Sequence, residues 1–307
     1  MVQLENKNVS RMNNNIISPI IIGTNSANPL TVNRPGYGTM RLTGEGIWGE
    51  PKNRDEALRI LKRAVELGVN YIDTADYYGL GVTNRLITEA LFPYPGNLVI
   101  GTKIGAKRGN DKSWNPFSKP EQLRESVENN LKELQLEQLA LVHYRVMHDD
   151  EDSFKRSMEM MFAMKQEGKI LHVGISNVSA AQFEAALKIG DIATVQNLYG
   201  YTQRTTPEDR SYGVSHGGAE VLSLCEQHQI PLIPYFSLHT SLNKAQEKIK
   251  TMAEKYTISI AQMNIVWLLH KSEWILPIPG TTSVAHLEEN LQAEKISISK
   301  EDMDFLG

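Results

Sequence analysis

The sequence predicts an α/β fold: a closed (β/α)8 barrel of the TIM type, with an N-terminal β-hairpin and a short C-terminal extension. Three observations carry this. Apolar runs of strand character begin near Gly36, Asn70, Leu98, Leu139, Leu171, Ala193, Pro231 and Ile275, with helical patterns between most consecutive pairs, and that alternation calls for a parallel sheet with crossover helices. A length of 307 residues suits one barrel. Polar residues also collect at the C-terminal ends of the apolar runs, namely Asp73, Lys103, His143, Ser176 with Asn177, Gln196 and Tyr235. Barrels carry their sites at that end.

Taken in order, Met1 to Asn15 is polar and reads as a loose segment. Ile20 to Ile22 and Leu30 to Val32 are short β-type runs joined by a Gly/Asn/Ser/Pro-rich turn, which predicts a hairpin. Residues 1–35 form the extension of a single domain spanning 1–307. A helix follows Asn53, with Ala57, Leu61, Ala64 and Val65 on one face, Glu56 in capping-box position and Gly68 as its stop. A second opens with Ser118 and Glu121 in capping-box spacing and turns Leu123, Val127, Leu131 and Leu134 inward. Ser179 with Gln182, and Ser259 with Gln262, repeat the signal before two further helices.

Composition excludes some classes of function. Apolar residues make up 41%, enough for a large core, and the net charge of -4 gives no basic footprint for nucleic acid. A lone cysteine, Cys225, rules out an intramolecular disulfide and a CxxC metal knuckle, and a reducing compartment such as the cytoplasm is compatible with it. No apolar run approaches about 18 residues, so no membrane span is expected, and with nothing resembling H-E-x-x-H no metal site is expected either.

The stretch Asn70-Tyr-Ile-Asp-Thr-Ala-Asp-Tyr-Tyr-Gly79 organises the candidate chemistry. Asp73 ends a short strand and Tyr78 follows on the next loop. The Leu98 run ends at Lys103, and the Leu139 run ends at His143. An ammonium at a strand end is costly to bury without a carboxylate, and Asp73 is the available partner. Each residue has a plainer reading alone: Asp73 as a turn cap, Tyr78 as a core aromatic, His143 as a satisfied core histidine. Acid, phenol, amine and imidazole together point to a catalytic site.

Other motifs are weaker. Gly44-Glu-Gly-Ile-Trp-Gly49 spells G-x-G-x-x-G, but Glu50-Pro51 follows instead of a helix, so it reads as a flexible loop at the site. His148 to Asp152 is a solvated helix start favoured by the helix dipole, in preference to a metal site. Gly174-Ile-Ser-Asn-Val lacks the second glycine of a nucleophile elbow.

Asp73-Thr-Ala-x-x-Tyr78-Gly, Thr102-Lys103, Leu141-Val-His143, Gly174-Ile-Ser-Asn177, Gln196-Asn197, Tyr235 and Ile278-Pro-Gly-Thr281 with Glu289-Asn290 occur in the order of the aldo-keto reductase family, and the chain resembles it from Gly36 onward. Gly36-Tyr-Gly-Thr-Met40, Thr102 to Gly109, Tyr144-Arg-Val-Met147 and Thr282 to Leu287 bring it closest to pyridoxal reductases and pyridoxine 4-dehydrogenases. The resemblance implies a monomeric barrel that binds a nicotinamide dinucleotide without a Rossmann domain and reduces small carbonyl compounds. Tyr78 would donate the proton, Lys103 would lower its pKa, Asp73 would hold the lysine, and His143 would orient the carbonyl oxygen. Ser176, Asn177 and Gln196 would hold the carboxamide and Tyr235 would stack on the ring. Gly38, Thr39, Gly280, Thr281, His286, Glu289 and Asn290 would meet the rest of the cofactor.

Gly280-Thr281 stands where many members carry Lys-Ser, and His286 where many carry an arginine. NADP(H) is still the expected cofactor, with NAD(H) as the alternative. The short C-terminus implies an open substrate pocket around Trp48, Trp114, Tyr144 and Arg145. Two other readings stay open on the sequence: a lyase using Lys103 as a Schiff-base amine, and a regulatory nicotinamide-binding barrel like the potassium-channel β subunits.

Overall fold

The computed structural model describes residues 17–147, 150–204, 217–238 and 244–307. The loose segment expected for Met1 to Asn15 lies outside them, as do His148 and Asp149. The expected hairpin forms: β1 (Ile20–Ile22) pairs antiparallel with β2 (Leu30–Val32).

Six parallel strands follow in one sheet, each hydrogen-bonded to the next: β3 (Tyr37–Gly38), β4 (Tyr71–Asp73), β5 (Val99–Ile104), β8 (Leu139–Arg145), β9 (Ile170–Ser176) and β10 (Ile192–Gln196). A two-stranded ribbon, β6 (Ala106–Arg108) with β7 (Trp114–Pro116), rises from the end of β5. Two staves predicted near Pro231 and Ile275 are present as single parallel bridges, Val195 to Leu232 and Leu232 to Ile275. Prolines explain why they are not longer strands, since Pro231, Pro234, Pro277 and Pro279 have no amide hydrogen to give a ladder. Gly36 N donates to Pro277 O at 2.9 Å and closes the ring.

Helices α1 (Arg54–Glu66), α2 (Val82–Leu91), α3 (Pro120–Leu134), α4 (Glu151–Gln166), α5 (Ala180–Ile189), α6 (Ala219–His228), α7 (Lys244–Tyr256), α8 (Ile260–Lys271), α9 (Val284–Gln292) and α10 (Lys300–Leu306), with short 3-10 turns at Met40–Leu42 and Ala293–Lys295, complete the described elements. Asn53 caps α1 by accepting from Glu56 N, and the predicted boxes of α5 and α8 form at Ser179 with Gln182 and Ser259 with Gln262. The α3 box is displaced by one residue. Pro120 takes the first helical position, so Lys119 becomes the cap and its amide donates to the Gln122 side chain.

Strand alternation divides the core in two. Outward residues such as Ile72, Val142, Val173 and Val195 join the helices in the main cluster. Inward residues Tyr71, Leu141, Ile233 and Leu276 fill the barrel, and Ile20, Ile22 and Val32 of the hairpin pack beneath them. The hairpin therefore plugs the N-terminal end and leaves the C-terminal end for the polar residues. No helix among the described residues is long and apolar enough to cross a membrane.

Candidate active site

Asp73 ends β4, and its side chain enters the barrel on the same face as Tyr71. Its Oδ2 accepts from Lys103 Nζ at 2.6 Å and its Oδ1 from Gln196 Nε2 at 2.7 Å. Lys103 Nζ also donates to Thr74 O at 2.8 Å. Asp73 is 2% exposed and Lys103 1%. Two charges this deep persist only with their hydrogen bonds made, and here they are.

His143 lies opposite Lys103 in the β5/β8 register and opposite Gly174 in the β8/β9 register. Gly174 is in turn opposite Thr194 of β10. A Cβ on Gly174 would fall 2.5 Å from His143 Cδ2 and 2.7 Å from Thr194 Oγ1. Its absence lets His143 Nε2 and Thr194 Oγ1 hydrogen-bond at 2.8 Å. Burial, then the Lys103 charge, push the His143 pKa down to about 3, so the imidazole is neutral. Its Nδ1 is buried without a hydrogen-bond partner.

Tyr78 stands on the loop after β4, with Lys103 Nζ 4.9 Å from its ring centroid. The loop is fixed by Thr74 Oγ1 donating to Asn84 Oδ1 at 2.9 Å and by Gly79, at φ 61, close against Gly49 O. The expected lowering of the Tyr78 pKa is reversed. Burial, and behind it the Asp73 charge, hold the phenol well above its usual value, with Arg145 opposing them; the Lys103 ammonium is bonded to Asp73 and Thr74 O.

Around the mouth of this layer, Ser176 Oγ is buried without a partner. Asn177, at φ 63, donates to Val146 O at 2.6 Å and accepts from Tyr235 Oη at 3.2 Å. Gln196 directs its NH2 at Asp73, which leaves Oε1 as its acceptor. Gly38 and Gly280 lie back to back: a Cβ on Gly38 would meet Ile278 O at 2.7 Å, and one on Gly280 would meet Gly38 O at 2.7 Å. Both are glycine because the closing staves approach so closely. Thr39 is fully buried and spends its hydroxyl on Asp73 O at 2.9 Å, so it ties β3 to β4 instead of facing a ligand. Thr281 O accepts from Tyr37 Oη at 2.8 Å just before α9, whose cap, Ser283, accepts from His286 N. His286 is exposed, Glu289 half-buried and Asn290 buried.

Of the expected pocket residues, Tyr144 does not reach the site. Alternation from His143 turns it outward, where its ring centroid lies 6.1 Å from that of Phe154. Arg145 does turn inward, its guanidinium 6.0 Å from the Trp114 ring and 5.8 Å from the Tyr235 ring. Trp48 and Trp114 are both covered by Arg108, at 5.6 and 4.2 Å, and so are not two bare walls of a slot. Tyr77 sits edge-on to both Tyr78 (5.3 Å) and Trp114 (5.5 Å). Sequence reasoning passed over Tyr77, Arg108 and Thr194. Thr194 had a signal, being two residues before Gln196 and therefore on the same strand face. The loop 44–49 is tied down, not free: Gly44 N donates to Gly49 O at 3.1 Å, and no helix opens on Gly49, the next one starting at Arg54.

Comparison with known proteins agrees with this geometry. Residues 36–306 match the model of the aldo/keto reductase family. The chain is 40% identical over 281 residues to the pyridoxine 4-dehydrogenase of Escherichia coli, covering 90% of this chain and 94% of that one. It is 37% identical to an uncharacterised oxidoreductase of Schizosaccharomyces pombe, covering 91% and 87%. Among solved structures, a thermostable aldo-keto reductase in complex with the inhibitor epalrestat superposes with TM-score 0.75 at 26% identity, covering 94% and 98%. An aldo-keto reductase from Klebsiella pneumoniae in complex with NADPH superposes with TM-score 0.74 at 22% identity, covering 95% and 94%.

Proposed function

Because the chain belongs to the aldo/keto reductase family and is thereby an oxidoreductase, we propose that it reduces a small aromatic aldehyde, pyridoxal first among candidates, to its alcohol with NADPH. The observation that carries the reading is the buried Asp73–Lys103 pair beside Tyr78 at the open end of the barrel. Pyridoxal takes its support from the pyridoxine 4-dehydrogenase relative, and NADPH from the Klebsiella complex.

The residues fit the nicotinamide end of such a cofactor. Ser176 Oγ is an orphaned buried hydroxyl, and Gln196 presents an acceptor beside it on the next strand, a pairing suited to a carboxamide. Asn177, held by Val146 O and Tyr235, would frame the same group. When bound, the cofactor supplies the hydride that goes to the carbonyl carbon.

This chain's own residues then manage the oxygen. Tyr78 stays protonated at neutral pH, and a phenol of raised pKa still gives its proton to the alkoxide that forms, which is a stronger base. Lys103 places a positive charge near the phenolate left behind, at a distance that Asp73 and Thr74 O fix. His143, neutral and pinned by Thr194, polarises the carbonyl as an imidazole and does not act as an imidazolium acid. Arg145 addresses ring substituents from the neighbouring layer of the barrel.

The test is turnover of pyridoxal, pyridoxal 5'-phosphate and 4-nitrobenzaldehyde by the purified protein with NADPH. Pyridoxal should be reduced well and its phosphate poorly, since among the described residues Arg145 is the cation counted on to meet it. Reduction of 4-nitrobenzaldehyde without detectable reduction of pyridoxal would overturn the substrate. Failure of all three would overturn the reading.

A further inference from the structure

Arg108 is 6% exposed, and among the described residues it makes no ion pair with a carboxylate. Burial lowers its pKa. Its guanidinium bonds instead to the backbone of two separate segments. Nη1 donates to Ile47 O at 3.0 Å and Nη2 to Gly46 O at 3.1 Å, both on the loop after β3, and Nη2 also donates to Lys112 O at 2.8 Å in the turn of the β6/β7 ribbon. Each segment carries an indole, Trp48 on the loop and Trp114 on the ribbon, and the guanidinium carbon lies 5.6 Å from the first ring centroid and 4.2 Å from the second. Trp114 abuts Tyr77, which abuts Tyr78.

From these contacts we infer that Arg108 is a positioning residue for substrate specificity: it locks Trp48 and Trp114 into one arrangement and so sets which aldehydes the pocket accepts. The inference rests on the aldehyde-reductase reading of this site. A rigid planar fork can serve three carbonyls in two segments and lie against two indoles at once, whereas the compact ammonium of a lysine has no such fixed spread. Removing the fork loosens the coupling between the ribbon and the 44–49 loop, because its hydrogen bonds run to both. No barrel strand is joined by it, so its loss falls on the two loops and not on the barrel ladder. The consequence falls on substrates that need the aromatic surroundings and spares those that need only the carbonyl site.

The experiment compares wild type with Arg108→Lys, using 4-nitrobenzaldehyde and propanal as probes, together with NADPH affinity and acrylamide quenching of tryptophan fluorescence. KM for 4-nitrobenzaldehyde should rise by about tenfold with kcat changed less than about twofold, the pattern of lost binding that is uniform through the reaction. KM for propanal and the NADPH dissociation constant should hold, and quenching should increase as the indoles are released. Equal changes for both aldehydes, or an unchanged aromatic KM with unchanged quenching, would overturn the inference. Arg108→Gln, which lacks both charge and fork, should show the same split and decides the matter if the lysine variant does not fold. If wild type reduces neither aldehyde, the functional reading fails, while quenching still decides whether Arg108 holds the indoles.

Discussion

Thr194 Oγ1 and His143 Nε2 meet at 2.8 Å across the position where Gly174 has no side chain. Two strands that are not neighbours thus share a hydrogen bond over the strand between them. Thr194→Val should lower kcat by about tenfold, less than the roughly 10²–10⁴-fold that an acid–base group itself contributes because His143 is kept and only its anchor is lost, and leave cofactor affinity unchanged. Gly174→Ala puts a methyl into the occupied gap and should cost about 1–3 kcal/mol in overpacking. Steady-state kinetics and urea denaturation check the pair. Wild-type activity in Thr194→Val would show that His143 needs no such anchor.

Tyr78→Phe removes the proposed proton donor and nothing else of size. Turnover should fall by about 10² or more with the NADPH dissociation constant nearly unchanged. Lys103→Met is worse for the fold, because it strands Asp73 as an uncompensated charge with Gln196 as its remaining donor among the described residues, a loss of about 3–5 kcal/mol. Thermal melting separates the two: the phenylalanine variant should melt like wild type and the methionine variant well below it.

Cofactor choice should respond to Glu56, a residue outside the expected contacts. Its Oε1 accepts from Val284 N at 3.3 Å, which places a carboxylate at the N-terminus of α9 beside the segment that the adenosine end would meet. A second anion there competes for the same partial positive charge. Glu56→Gln should tighten NADPH over NADH by about two- to fivefold, and His286→Arg should act in the same direction. Fluorescence titration with both cofactors reads this. Equal effects on NADPH and NADH would remove both residues from the 2'-phosphate site.

Asp76, two residues before Tyr78, has a carboxyl pushed up to about 7 by burial, with the Glu133 charge adding to it and hydrogen bonding from Ser126 opposing it. A carboxyl with a folded pKa above its unfolded value binds extra protons in the native state. Its favourable contribution is therefore full below about pH 4, the unfolded carboxylate range, and is lost as pH rises through about 7. Asp76→Asn should raise the melting temperature at pH 8 and flatten its decline between those limits. A variant that keeps the wild-type slope would place that titration elsewhere.

How much of this was legible beforehand follows from range. Each strand end is a local fact: an apolar run stops and a polar residue follows, so Asp73, Lys103, His143, Ser176 and Gln196 could be read one at a time. Helix starts at Asn53, Ser179 and Ser259 are equally local, and the displaced start at Pro120 was missed because a second box, Lys119 with Gln122, overlaps the first. Tyr144 was misplaced although period-two alternation from His143 already turned it outward.

The sequence alone determined that eight staves would present an acid, an amine, an imidazole and a phenol at one end of a barrel, because periodicity and run ends are properties of short segments. Only the tertiary structure decided what those groups meet. The register across β8, β9 and β10 sets Thr194 over Gly174 against His143, and the closing approach of Gly38 to Gly280 makes both glycines structural. Burial of the phenol, with the Asp73 charge behind it, reverses the expected shift of Tyr78, and the reach of Arg108 to two loops joins Trp48 to Trp114. Each depends on residues tens of positions apart meeting in a water-poor interior, where hydrogen-bond geometry and burial set the energies and local pattern carries no record of them.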